Sequence, residues 1–108
     1  MEDLCDAVLY QAQHIEELKG KTFNIGGGVQ NSLSLLELTT LCQNISGQRL
    51  DIGSTPETRP GDVPWYVSNH ERFSAHTGWR PTRSIEVILR DVHAWIVKYR
   101  KELESILS

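Results

Sequence analysis

The residues best suited to chemistry in this 108-residue chain stand in one short run, Arg59-Pro60-Gly61-Asp62. Pro60 and Gly61 force a turn, so Arg59 and Asp62 can face the same way. A guanidinium grips phosphate oxygens through paired hydrogen bonds. A carboxylate three residues on can accept two hydrogen bonds from a ribose diol. The pair therefore suits the phosphate and ribose of a nucleotide. Spacing alone favours a plain ion pair across a surface turn.

A second pattern invites a different chemistry. A strand-like stretch, Gly26-x-Gly28, a helix and then Asp51 resemble a dinucleotide-binding fingerprint. Three details argue against it. Asn31 stands where the third glycine belongs. Ser34 caps the helix, so the glycines do not lie at the helix N-terminus, where pyrophosphate is held. Asp51 falls inside a strand pattern, whereas the ribose-binding acid belongs at a strand's end. A glycine turn lying close to another segment is the favoured reading. His14, His70, His76 and His93 share no metal-ligand spacing. Trp65, Trp79 and Trp95 could stack a base, although core packing is the default for tryptophan. Tyr10, Tyr66 and Tyr99 each lack a lysine four residues later. Cys5 and Cys42 fall on apolar helical stripes without a CxxC neighbour and read as two reduced core thiols. No catalytic set, cofactor site or metal site is expected of this chain.

These residues need elements to position them. Leu4, Val8, Ala12 and Ile15 predict a helix over 3–18, ended by Gly20. Thr22-Phe23-Asn24-Ile25 reads as a strand stopped by Gly26-Gly27-Gly28. Ser34 and Glu37 form a capping box opening a second helix, with Leu35, Leu38, Leu41, Cys42 and Ile45 as its apolar stripe and Gly47 at its end. Arg49–Ile52 reads as a second strand. Pro56, Pro60, Gly61 and Pro64 keep residues 53–64 a loop, followed by a brief extended piece at Trp65-Tyr66-Val67. A short helix follows over 69–77, capped by Ser68 or Asn69. Gly78 stops it and Trp79 folds back on the core. Ile85, Ile88, Leu89, Val92, Ile96, Tyr99 and Leu103 mark one last helix capped by Ser84. The expected architecture is α/β mixed: four helices, three long and one short, with two short strands.

Length allows one domain, residues 1–108, with a modest core. The net charge of −3, with basic residues scattered apart from Lys98, Arg100 and Lys101, argues against nucleic acid or an anionic membrane as partner. No apolar run approaches the roughly 20 residues of a membrane helix, and the acidic Met1-Glu2-Asp3 start lacks a signal-peptide core, so a cytoplasmic location is expected. The chain opens almost inside a helix, as a portion of a longer polypeptide would.

The order of these features resembles the extended short-chain dehydrogenase/reductases, the NAD-dependent sugar-nucleotide epimerases and dehydratases. The resemblance runs from Asp3-Leu4-Cys5-Asp6-Ala7 through Phe23-Asn24-Ile25-Gly26-Gly27-Gly28, the Ser34-capped helix and Arg59-Pro60-Gly61-Asp62 to Gly78-Trp79-Arg80-Pro81. It implies the family's C-terminal, substrate-binding portion. Arg59 then corresponds to the arginine that binds the diphosphate and Asp62 to the aspartate that binds the ribose of a CDP- or UDP-sugar. Asn69 departs from the family's usual aspartate, a minor change because both cap helices. The family's Gly-rich cofactor loop and its Tyr-x-x-x-Lys pair have no counterpart here. The resemblance thus implies binding of a sugar nucleotide without turnover by this chain alone, NAD being held by a separate N-terminal domain. The alternative is a stand-alone interaction or homodimerisation module with an uncovered apolar face.

Overall fold

The computed structural model describes every residue except Thr58 and Ser108, with Leu107 described by its backbone alone. The helices are α1 (Glu2–Gln13), α2 (Ile15–Leu18), α3 (Leu35–Ser46), α4 (Glu71–Thr77), α5 (Ile85–Lys98) and α6 (Arg100–Leu107), with a 3-10 turn at Val29–Asn31. Among the described residues there is no strand, so the fold is all-helical and the expected α/β architecture is wrong.

The physical reason is visible at both expected strands. A strand exists only when a neighbour supplies its ladder of N–H and C=O partners. Residues 22–25 run without one and instead lay a side chain on α4. The Phe23 ring meets Phe73 and His76 edge-on, each at 5.3 Å between centroids, and the Arg72 guanidinium sits 5.6 Å from its centre. At the second site, Gln43 Nε2 donates to the Leu50 carbonyl at 3.2 Å, a side-chain bond where a strand neighbour would bond.

Four expected helices become six because two of them break. The first parts at His14, whose backbone leaves helical geometry (φ −115°, ψ 31°), and the last at Tyr99 (φ −107°, ψ 23°). The caps follow local chemistry. Ser34 Oγ accepts from the Glu37 N–H, and the Glu37 carboxylate accepts from the Ser34 N–H at 2.7 Å, completing the capping box. The Ser34 N–H, and then the Ser34 hydroxyl donating to the same carboxylate at 2.8 Å, hold the Glu37 carboxyl below its ordinary pKa. Gly47 closes α3 in the left-handed conformation at φ 70°. Asn69 Oδ1 accepts from the Glu71 N–H at 2.8 Å, and Ser84 Oγ accepts from Val87 N–H at 3.4 Å, opening α4 and α5.

The described residues form two compact units, Met1–Ser32 with Val63–Arg83, and Leu33–Asp62 with Ser84–Ser108. The first has a small core. Ala7 and Phe73 are fully buried and Leu18 nearly so. Trp79 lies tilted against Phe73, 5.5 Å between centroids, so it does fold back on the core. Asp3 ties α1 to the far end of the same unit. Its carboxylate accepts from Thr82 Oγ1 (2.7 Å), Thr82 N–H (3.2 Å) and Arg83 N–H (3.1 Å), while its backbone carbonyl accepts from the Trp79 indole at 3.0 Å. The Arg83 guanidinium pairs with Asp3 at 3.5 Å and with Glu2. The Thr82 hydroxyl, with the two backbone N–H groups, lowers the Asp3 pKa against the opposing effect of burial.

In the second unit α3 and α5 pack together, and α5 meets α6. Leu38, Leu41 and Ile45 of α3 and Ile85 and Leu89 of α5 are half-buried. No residue of either helix is fully buried. Leu35 stays 82% exposed and Leu36 78%. The apolar stripes are where the periodicity puts them, yet they are only partly covered. For the same reason Cys5 and Cys42, expected in a core, are free and exposed. Among the described residues no helix is long and apolar enough to cross a membrane.

Candidate functional site

Arg59 to Asp62 form a tight turn. The Asp62 N–H donates to the Arg59 carbonyl at 3.1 Å, and Gly61 takes φ 90°. Proline followed by a residue of positive φ is the signature of a type II turn, and only glycine adopts that third position without strain. The turn brings the backbones of Arg59 and Asp62 together at its base, with both residues exposed. Among the described residues neither side chain takes part in an ion pair or hydrogen bond. The plain ion pair across the turn is therefore not what forms.

The glycine run does lie against another segment, as its composition suggests. A Cβ on Gly26 would stand 2.2 Å from Ser68 Oγ, and one on Gly28 would stand 2.8 Å from His70 Cε1. The Gly28 N–H donates to Ser68 Oγ at 3.2 Å. The run leads into the 3-10 turn Val29–Asn31 and an extended Ser32, and α3 begins only after Ser34. A dinucleotide loop needs glycine backbone open to pyrophosphate at a helix N-terminus. Here Gly26 and Gly28 are occupied by side chains of residues 68 and 70, so this run does not fit that cofactor.

Beside the run lies a cavity of about 490 Å³, walled by residues 27–31, 67–71 and 80–81 of the first unit. His70 forms part of its wall, and the buried Nδ1 of that ring has no hydrogen-bond partner among the described residues. Sequence reasoning missed this cavity: Asn69 read only as a helix cap, His70 as an isolated histidine, and nothing local announces that Arg80 closes on them. Two of the other histidines have structural surroundings. His14 Nδ1 lies 3.0 Å from the Tyr10 carbonyl and its ring stacks on Tyr10, while His76 Nδ1 lies 2.9 Å from the Arg72 carbonyl. Among the described residues no group of three or more His, Cys, Asp or Glu side chains could hold a metal ion. Trp65 and Tyr66 are each 82% exposed.

Neither a family model nor a solved structure matches the chain. Curated proteins do. The chain is similar to the CDP-paratose 2-epimerase of Salmonella typhi, 27% identical over 94 residues that cover 87% of this chain and 28% of that protein. It is also similar to UDP-glucose 4-epimerase 2 of Arabidopsis thaliana, 26% identical over 95 residues, 86% of this chain and 26% of that protein. The chain thus spans about a quarter of the length of these relatives. CDP-paratose 2-epimerase is also the enzyme that the run Asn24-Ile25-Gly26-Gly27-Gly28 and the stretch Asn31-Ser32-x-Ser34-Leu35-x-Glu37 resemble. By sequence, then, this is an epimerase-like chain, similar to nucleotide-sugar epimerases of the NAD-dependent epimerase/dehydratase kind that its motif order resembles.

Proposed function

We propose that this chain is the sugar-nucleotide-binding portion of an epimerase/dehydratase-like protein, with residues 1–108 acting as one binding domain. In this reading Arg59 grips the diphosphate and Asp62 the ribose of a CDP- or UDP-sugar. The observation that carries it is the Arg59–Asp62 turn, which leaves a cation and a carboxylate exposed and not engaged with each other. Two facts support it further. The relatives are, by name, a CDP-sugar and a UDP-sugar epimerase. Exposed Arg and Asp also match the chemistry of an anionic diphosphate beside a diol.

Binding without turnover completes the proposal. The family's NAD accepts hydride when bound. The Gly26–Gly28 run does not fit that cofactor, so a separate domain holds it. No tyrosine of this chain has a lysine four residues later to position it as a base. The chain then contributes orientation: fixing the nucleotide holds the sugar ring where a neighbouring reactive group can meet it. Titration with CDP and UDP, followed by amide shifts of Arg59, Gly61 and Asp62, tests the reading. Saturable shifts there are expected, and their absence at millimolar nucleotide refutes it.

A second reading, a self-association module, is favoured by a separate observation. Each unit leaves large apolar side chains uncovered, Trp65 and Tyr66 in one and Leu35 and Leu36 in the other. Sedimentation at rising concentration distinguishes the two: a homodimer favours the module, and a monomer at high concentration removes it.

A further inference from the structure

The cavity of the first unit plays no part in the reading above, and its polar groups are largely unengaged. Its wall includes Gln30, Ser68, Asn69, His70, Glu71 and Arg80. Several of the available acceptors are already used. Ser68 Oγ accepts from the Gly28 N–H and Asn69 Oδ1 accepts from the Glu71 N–H. The donors are left over. Arg80 is exposed and, among the described residues, has neither an ion pair nor a side-chain hydrogen bond. The Asn69 amide nitrogen and the Ser68 hydroxyl proton are likewise uncommitted, and Gln30 is exposed with its amide free among the described residues. The Glu71 carboxylate and the buried His70 Nδ1 are also without partners among the described residues, so the wall offers a guanidinium and amide donors together with one carboxylate, which suits a ligand that carries both an anionic group and hydroxyls. Among the described residues Glu71 is the one carboxylate on the wall, so an anionic ligand places its charge at Arg80 and can offer a hydroxyl to Glu71.

Size narrows the class. At about 490 Å³ the cavity lies within the range of small-molecule sites. That is room for more than a dozen waters at about 30 Å³ each, so a bare oxyanion would leave most of it unfilled. Gln30 and Asn69 can each hydrogen-bond hydroxyl groups. We infer that this cavity binds a phosphorylated small polyol, of the hexose phosphate class, with its phosphoryl oxygens on Arg80 and its hydroxyls on Gln30 and Asn69. This second site is separate in sequence from the Arg59–Asp62 turn and does not depend on that turn's binding a nucleotide.

The test is an amide-shift titration of the full chain with a hexose phosphate, inorganic phosphate and the unphosphorylated hexose, each at constant ionic strength set with chloride. Saturable shifts at Gly27, Gly28, Asn31, Asn69 and Glu71 are expected with hexose phosphate. They are expected to be weaker with phosphate and absent with the plain hexose. Arg80→Gln, at an exposed position that leaves the core untouched, is expected to weaken binding ten- to a hundredfold, the size of a lost charge-assisted contact. Gln30→Ala should weaken hexose phosphate while leaving inorganic phosphate unchanged. Arg59→Gln should leave all of these shifts in place. Three results overturn the assignment: no shift at the cavity amides, shifts that survive Arg80→Gln, or shifts that vanish with Arg59→Gln.

Discussion

Asp3 makes the most consequential contacts at the start of the chain, and its removal can be worked through. Its carboxylate takes three hydrogen bonds from Thr82 and Arg83, residues 79 and 80 positions away, at 2.7 to 3.2 Å. The side chain keeps 19% of its surface exposed, so each bond is partly screened by water. Bonds to a charged group contribute about 1.5–3 kcal/mol each when well shielded and do not add fully. Asp3→Asn keeps one acceptor oxygen but turns an NH2 group toward N–H donors. A loss of about 2 kcal/mol for the first unit follows. At roughly 4–8 °C per kcal/mol for a domain of this size, the melting temperature should fall by about 8–16 °C. Thr82→Val removes one bond and should cost about 1 kcal/mol. Combined with Asp3→Asn it should cost less than the sum, because the two residues share that bond. The lowered pKa adds a second readout. The folded Asp3 carboxyl is more acidic than its ordinary value of 3.8. The unfolded chain therefore binds a proton first as the pH falls, and stability declines with it. The Asp3 contribution is complete above that ordinary value and fades as the pH drops through the lowered one. Thermal melts of the wild type and both variants at neutral pH and at acid pH measure all of this. Equal melting temperatures at neutral pH, or an Asn variant that loses as much on acidification as the wild type, would show that the Asp3 carboxylate does not hold this unit together.

Other substitutions probe the rest of the fold. Phe73→Ala removes the fully buried ring at the centre of the first unit and should cost about 3–5 kcal/mol in denaturant melts, enough to unfold that unit. Gly26→Ala drives a Cβ into Ser68 and should cost about 1–3 kcal/mol, and Ser68→Gly in the same chain should recover part of it. Ser34→Ala breaks the capping box and should lower stability by about 1 kcal/mol by the same melts, with loss of hydrogen-exchange protection at the start of α3.

What could be read from the sequence was what is local. Ser34 with Glu37, Ser84, Gly47 and Gly78 fix helix ends through groups a few residues apart, and each end lies within a residue or two of its expected place. Pro60 and Gly61 announce a turn for the same reason. The strands failed because pairing is a property of two segments. Residues 22–25 and 49–52 carry suitable side chains, but among the described residues no neighbouring strand is supplied to either. The apolar stripes of α3 and α5 were legible as faces, since periodicity marks which side is apolar without saying how much of it is covered. Breaks at His14 and Tyr99 were hidden because the apolar pattern runs straight through them. The Asp3 contacts with Thr82 and Arg83, and the meeting of Arg80 with His70 and Gly28 around a cavity, join residues far apart in sequence, and no spacing rule reaches that far.

Nucleotide binding by this chain turns on whether Arg59 answers to phosphate. Affinities for UDP and for uridine, measured by calorimetry on the wild type and on Arg59→Gln, decide it most directly. The variant should bind UDP at least about tenfold more weakly, the loss expected when a bidentate charge-assisted contact goes, and uridine as before. Equal UDP affinity in the two proteins would contradict it.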